Sequence, residues 1–346
     1  MATRQLGGGT LRTLALGTVG FAVLGGGERR RRGVGWGARL DGTAARLPRS
    51  DLSAPPGRLG RRAGTLSSPA VGEPTAVTAA QRLNRAAGTL AFSVLLDSGM
   101  EHYRGAFKNP AMYTPLAVSS LALAASAHGV ADQRRGAHLA RDALYSVAAL
   151  TGIAGTGFHV YNVLKRPGGF AWQNLFYGAP LGAPVALLLS GLLGAAAERV
   201  RGSRPGTAPR VLGLPAGRAV AALSGAGILG TAGEAGLLHF RGAYHNPAMF
   251  LPVAVPPAAA VLLANAALGA AGRQRRFTAW WLRSTALLGF AGVGFHAWGV
   301  GRNMGGWRNW SQNLLNGPPL PAPPSFTGLA LAGLAALALL RDEPHG

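Results

Sequence analysis

Four histidines come in two matched pairs. The interval from His102 to His159 is the same as that from His239 to His296. The first member of each pair opens a shared phrase, HYRGAFKNPAM at 102–112 and HFRGAYHNPAM at 239–249, with eight of eleven positions identical. Neutral imidazoles brought together from two helices are the usual axial ligands of haem b, and they also bind copper, iron or zinc. Hydrogen-bonded histidines at a helix end give the same pattern without a ligand. Duplication copies structural residues as readily as functional ones, so spacing alone leaves both readings open.

Other polar groups recur with them. Arg104 and Arg241 follow the first histidine of each pair by two residues. Such an arginine clamps a carboxylate, a phosphate or a haem propionate, or simply snorkels to lipid headgroups. Asp97 and Glu234 precede those histidines by five residues. Five residues turn a helix by about 140°, so Asp97 cannot share a face with His102 and needs a partner on another helix. Carboxylates inside a membrane are costly and serve to relay protons, hold a cation or orient a histidine, or else bond a neighbouring helix. Gln173 and Asn174 match Gln312 and Asn313, where an amide either bonds a ligand or caps the next helix. Asn109-Pro110 and Asn246-Pro247 read as architecture: asparagine suits an N-cap and proline the first helical position. Gly105 and Gly242 are expected to let the chain turn tightly. Gly155, Gly157, Gly292 and Gly294 lie just before the second histidines, where they admit either a flat macrocycle or another helix.

The elements that must position these groups are long apolar runs. Residues 143–164, 167–197, 247–272, 284–301 and 309–340 carry no charged side chain. A soluble helical core would show polar residues every third or fourth position, and here those faces are missing. The pattern predicts an all-α integral membrane protein of eight transmembrane helices near 84–102, 110–131, 141–163, 174–197, 219–239, 247–271, 279–300 and 321–340. Pro180 and Pro184 in the fourth, and Pro252, Pro256 and Pro257 in the sixth, predict helix breaks. Repeat 1 covers 79–197 and repeat 2 covers 218–342, joined by a cytoplasmic linker at 198–217. Four spans per copy put two tandem four-helix repeats in the same orientation.

Arginines cluster after the second, fourth and sixth runs: Arg134, Arg135 and Arg141; Arg199, Arg201, Arg204 and Arg210; Arg273, Arg275 and Arg276. The positive-inside rule then makes both termini cytoplasmic in a multi-pass protein of the bacterial inner membrane, with the histidine phrases on the extracytoplasmic face. Residues 1–78 read as a disordered Arg/Gly/Pro-rich extension, with 13–27 a signal, an anchor or a weak span.

Hydrophobic residues make up 48% of the 346, charged residues 13%, and the net charge is +22. The basic residues punctuate apolar runs and form no continuous face, so the lipid bilayer is the expected partner and nucleic acid is not. The absence of cysteine excludes disulfides, Cys-ligated zinc, iron–sulfur clusters and covalently attached haem. No nucleotide loop, G-x-S-x-G or H-E-x-x-H occurs, so a stand-alone enzyme is not expected. The paired histidines on membrane helices resemble those of dihaem b-type cytochrome anchors. Those anchors set their haems at opposite membrane depths, whereas a parallel repeat puts both pairs on one side. The resemblance implies haem b and an extracytoplasmic redox partner. The alternatives are a small-molecule or ion transporter using Asp97 and Glu234, and a non-catalytic membrane scaffold.

Overall fold

The computed structural model describes residues 73–178, 180–204, 207–269 and 272–341. The extension at 1–72, with the apolar stretch 13–27, lies outside the described residues. Residues 73–78, expected in that extension, instead form the first turns of a helix.

Ten helices occur among the described residues: α1 (Glu73–Arg104), α2 (Thr114–Ala131), α3 (Leu139–Leu164), α4 (Trp172–Tyr177), α5 (Gly182–Arg201), α6 (Ala216–Arg241), α7 (Leu251–Ala267), α8 (Gly272–Arg302), α9 (Trp310–Asn316) and α10 (Pro324–Leu339). Single 3-10 turns at Pro110–Tyr113 and Pro247–Phe250 lead into α2 and α7. The β structure among the described residues is a ladder of two-residue strands, β1 (Arg210–Val211) and β2 (Leu214–Pro215), within the expected linker.

Five segments are long and apolar enough to cross a membrane: Pro110–Ala131, Leu139–Leu164, Gly182–Arg201, Ala216–Arg241 and Pro247–Ala267. α10 is apolar but shorter. α1 and α8 carry charges near their ends, among them Arg82, Arg85 and Glu101 in one and Arg275, Arg276 and Arg283 in the other. Large apolar side chains face outward along α3 (Leu150, Ile153, Phe158, Tyr161) and α8 (Leu287, Phe290, Phe295, Trp298). An outward apolar face on a helix has a lipid bilayer as its natural solvent.

α1 packs on α2 and α5, and α3 closes the ring against the same two helices. α6 packs on α7 and α10, and α8 closes a second ring against them. α1 and α3 therefore stand across a bundle from each other and are not neighbours. α1 meets α10, and α5 meets α6, where the rings join. The largest buried apolar cluster lies along that junction, with Leu83, Leu90, Leu193, Ile228, Leu329 and Leu337 among its members.

Close packing accounts for two of the four glycines before the second histidines, Gly155 and Gly292. A methyl at Gly155 would stand 3.1 Å from Pro184 Cβ, and one at Gly292 would stand 2.8 Å from Pro323 Cβ. These glycines admit α5 and α10, whereas Gly157 and Gly294 face open space. The expected break in the sixth run does not occur, since α7 runs through Pro256 and Pro257 without interruption. Proline's fixed φ is already helical, and α7 forfeits only the bonds to the carbonyls one turn earlier. The fourth run does break, between α4 and α5 beside Pro180, and the last run breaks between α9 and α10.

Candidate functional site

The histidine phrase folds the same way at both of its occurrences. Asn109 Oδ1 accepts from Ala111 N–H at 3.0 Å, and Asn246 Oδ1 accepts from Ala248 N–H at 2.9 Å. Pro110 and Pro247 take the first position of each 3-10 turn. The tight turn is not made by glycine. Ala106 (φ 53) and Phe107 (φ 47) adopt the left-handed region, as do Ala243 (φ 53) and Tyr244 (φ 46). Two successive left-handed non-glycine residues cost roughly 1–2 kcal/mol each. Stacking offsets part of this cost: Phe107 lies on Tyr113 and Tyr244 on Phe250, with centroids 4.4 Å apart in both. Gly105 and Gly242 serve close approach instead, since a methyl there would stand 3.0 Å from Met112 Cε or 3.1 Å from Met249 Cε.

The four histidines share one hydrogen-bond pattern. His102 Nδ1 meets Met112 O at 2.6 Å, His239 Nδ1 meets Met249 O at 2.8 Å, and His296 Nδ1 meets Pro319 O at 2.7 Å. His159 Nδ1 bonds Pro180 O. A carbonyl only accepts, so each Nδ1 carries a proton, and in the neutral imidazole each Nε2 keeps its lone pair. Among the described residues no hydrogen bond engages any of these four Nε2 atoms. All four rings are half-buried. His102 on α1 and His159 on α3 stand on helices that both pack on α2 and α5, and His239 on α6 and His296 on α8 on helices that both pack on α7 and α10. The two helices of each pair stand diagonally in their bundle and are not neighbours.

The arginines and acids knit the two bundles together at this end. Arg104 pairs with Glu101 and donates to Leu314 O at 3.3 Å, reaching α9 of the other half. Arg241 lies over Phe176 and Tyr177 of α4, 5.7 and 5.3 Å from their centroids. Glu234 Oε1 accepts from Gly182 N–H at 3.1 Å, at the N-terminus of α5 where the fourth run breaks. The corresponding residue in the last run is Pro321, which has no N–H to offer. Asp97 accordingly has no such bond, and its charged neighbours are Glu101, Glu234 and Arg104. Asn174 donates to Pro167 O and Gly169 O at 3.0 and 2.8 Å, and Asn313 to Met304 O and Gly306 O at 3.2 and 2.9 Å. Both amides therefore spend their donors on their own loops. Gln173 and Gln312 are exposed.

The opposite end of the first bundle holds a charge network that sequence reasoning missed. Arg141 grips Glu198 with two bonds, Nε to Oε1 at 2.8 Å and Nη2 to Oε2 at 3.0 Å. Its Nη1 donates to Asp132 Oδ2 at 2.9 Å and to His128 Nδ1 at 3.2 Å. Arg201 donates to the carbonyls of Gly129, Asp132 and Arg134, closing the C-terminus of α2. Arg141 is 2% exposed, while Glu198 and Arg201 are 0% exposed. Tyr145 bonds Asn84 Oδ1 just behind them. Read purely as positive-inside residues, Arg141 and Arg201 would face water; their acid and carbonyl partners bury them instead. The revealing signal is that the second half writes Thr278, Leu337, Leu340 and Leu282 where the first has Arg141, Glu198, Arg201 and Tyr145.

Burial alone would push the Asp132 carboxyl up, but hydrogen bonds from Arg141 and Arg134 outweigh it and hold the group well below the usual carboxylate range. A depressed folded-state value adds stability above the unfolded value of about 3.9, and this is lost as pH falls through the folded value. The melting temperature of the wild type should hold down to about pH 4 and fall below it. Asp132→Asn should melt lower at neutral pH and show a shallower acid slope. Parallel acid slopes in thermal melts followed by circular dichroism would refute this assignment.

No group of three or more His, Cys, Asp or Glu suited to a metal ion occurs among the described residues. No family model, no curated protein and no solved structure matches this chain.

Proposed function

We propose that this chain is an eight-span membrane protein of two parallel four-helix halves, and that it binds haem b through His102 with His159 and His239 with His296. The observation that carries this reading is the shared histidine pattern: at all four rings Nδ1–H is held by a backbone carbonyl and Nε2 has no hydrogen-bond partner among the described residues. A carbonyl on one ring nitrogen fixes the tautomer and raises the basicity of the other, as at ligating histidines generally. The donor set favours haem over a bare ion. A haem brings four nitrogens of its own and asks the protein for two, whereas a bare transition metal asks for three or four.

Arg104, beside Glu101, would balance propionate charge at the same end. The outward apolar faces of α3 and α8 support counting α8 as a span, with α1 and α10 completing the eight. The arginine-rich turns then face the cytoplasm of a bacterial inner membrane, and the histidine end faces outward, where an extracytoplasmic redox protein could exchange electrons with it. Haem supplies one-electron chemistry when bound; the protein's part is to hold two imidazoles, set their tautomers and limit water.

The test is the absorbance of full-length protein purified from haem-sufficient cells. A Soret band with α and β bands that sharpen on reduction is expected. A featureless spectrum after expression with excess haem would sink the proposal.

One observation favours a second reading, that of a transporter. Glu234 sits on the N-terminus of α5 at a break between helices, the kind of place where transporters bind substrate. If so, Asp97→Asn with Glu234→Gln should abolish solute or proton flux in proteoliposomes while leaving any haem spectrum intact. Flux equal to wild type would discard it.

A further inference from the structure

A shallow apolar recess lies where α4 of the first half meets α6 of the second. Its lining is Trp172, Gly233, Gly236, Leu237 and Phe240. Trp172 and Phe240 are largely exposed, so the recess opens sideways from the helices and not into a bundle. Arg241 stands at its end, eight residues and about 12 Å along the helix from Gly233.

Comparison of the two halves shows how it arises. At the place of Gly233 the first half has Leu96, whose side chain would fill the floor. A methyl at Gly233 itself meets nothing within 4 Å. At the place of Trp172 the second half has Ser311, which supplies no wall. At the place of Glu101, the acid that neutralises Arg104, the second half has Leu238. Three separate differences thus open a floor, raise a wall and free a cation at one spot.

The state of Arg241 indicates what belongs there. Its flat face is taken up by Phe176 and Tyr177, while no hydrogen bond or carboxylate among the described residues engages its edge. A guanidinium with its face stacked and its edge open presents a fork that matches two oxygens of a phosphate. A soluble anion would gain nothing from the apolar recess, and a zwitterionic phospholipid would set its own ammonium group beside the guanidinium, where like charges repel.

We propose that this recess binds one anionic phospholipid, with its phosphate on Arg241 and an acyl chain along Gly233 and Gly236 between Trp172 and Phe240. The proposal needs the membrane setting but not the haem reading.

Native mass spectrometry of full-length protein in mixed phosphatidylglycerol and phosphatidylcholine nanodiscs tests it. Wild type should retain one phosphatidylglycerol at least about tenfold in preference to phosphatidylcholine, the selectivity of one charge-assisted contact. Arg241→Gln should lose that preference. Gly233→Leu, at a site open enough to accept it, should lose retention of both lipids. Arg104→Gln should behave as wild type. Equal retention of the two lipids by wild type, undiminished preference in Arg241→Gln, or retention of a neutral quinone in place of phosphatidylglycerol would each overturn the proposal. Absorbance of the same samples reports haem separately, so failure of one reading does not imply failure of the other.

Discussion

His159→Asn should remove half of the haem bound per chain and leave the fold intact. The asparagine amide can donate to Pro180 O as the imidazole Nδ1–H does, but it supplies nothing in place of Nε2. The substitution therefore separates pinning the α4–α5 break from ligating a cofactor. Adding His296→Asn, which keeps a donor for Pro319 O, should abolish binding altogether. If His159→Ala lowers stability while His159→Asn has wild-type stability and a wild-type spectrum, the ring is a hydrogen-bonding residue only. The readouts are haem per chain by pyridine haemochrome and the thermal midpoint by circular dichroism.

Glu198→Ala should be the most damaging single change at the other end. It takes two bonds from Arg141, leaving Asp132 as its one carboxylate partner, and removes the acceptor for His138 N–H, which bonds Glu198 Oε2 at 2.8 Å. Breaking one partner out of a buried ionic network costs about 3–5 kcal/mol. Replacing Arg141, Glu198 and Arg201 together should be milder. Arg141→Thr, Glu198→Leu and Arg201→Leu together write into the first half what the second half carries, and there Leu337 and Leu340 pack with almost no exposure. Well-packed apolar residues in place of a buried ion network are often neutral or stabilising. Urea or thermal denaturation in detergent should find the triple variant more stable than Glu198→Ala. The opposite order would show that charge itself, and not its completeness, holds this end together.

Much of the helical frame was legible from residue types. Charge-free runs longer than a soluble helix tolerates mark most of the spans, and Asn109-Pro110 and Asn246-Pro247 signal the helix starts that follow. The failures have physical causes. A proline in the sequence announces a lost hydrogen bond, but whether the helix breaks depends on its surroundings; Pro256 and Pro257 are carried and Pro180 is not. Gly105 looks like the flexible point of its turn, yet the left-handed residues are Ala106 and Phe107, held there by an aromatic stack between residues six apart. Charge patterning assigns Arg141 and Arg201 to a cytoplasmic surface, because one-dimensional pattern carries no information about which acid meets which arginine. Comparing the halves residue by residue exposes both that network and the recess beside Arg241, since each appears where one copy departs from the other.

Electron paramagnetic resonance of the oxidised wild-type protein tests directly whether paired imidazoles supply axial ligands. Low-spin ferric signals of bis-imidazole type, lost by half in His159→Asn, are the predicted result. A high-spin signal alone, or no haem signal from protein that is folded and haem-supplied, would contradict the account.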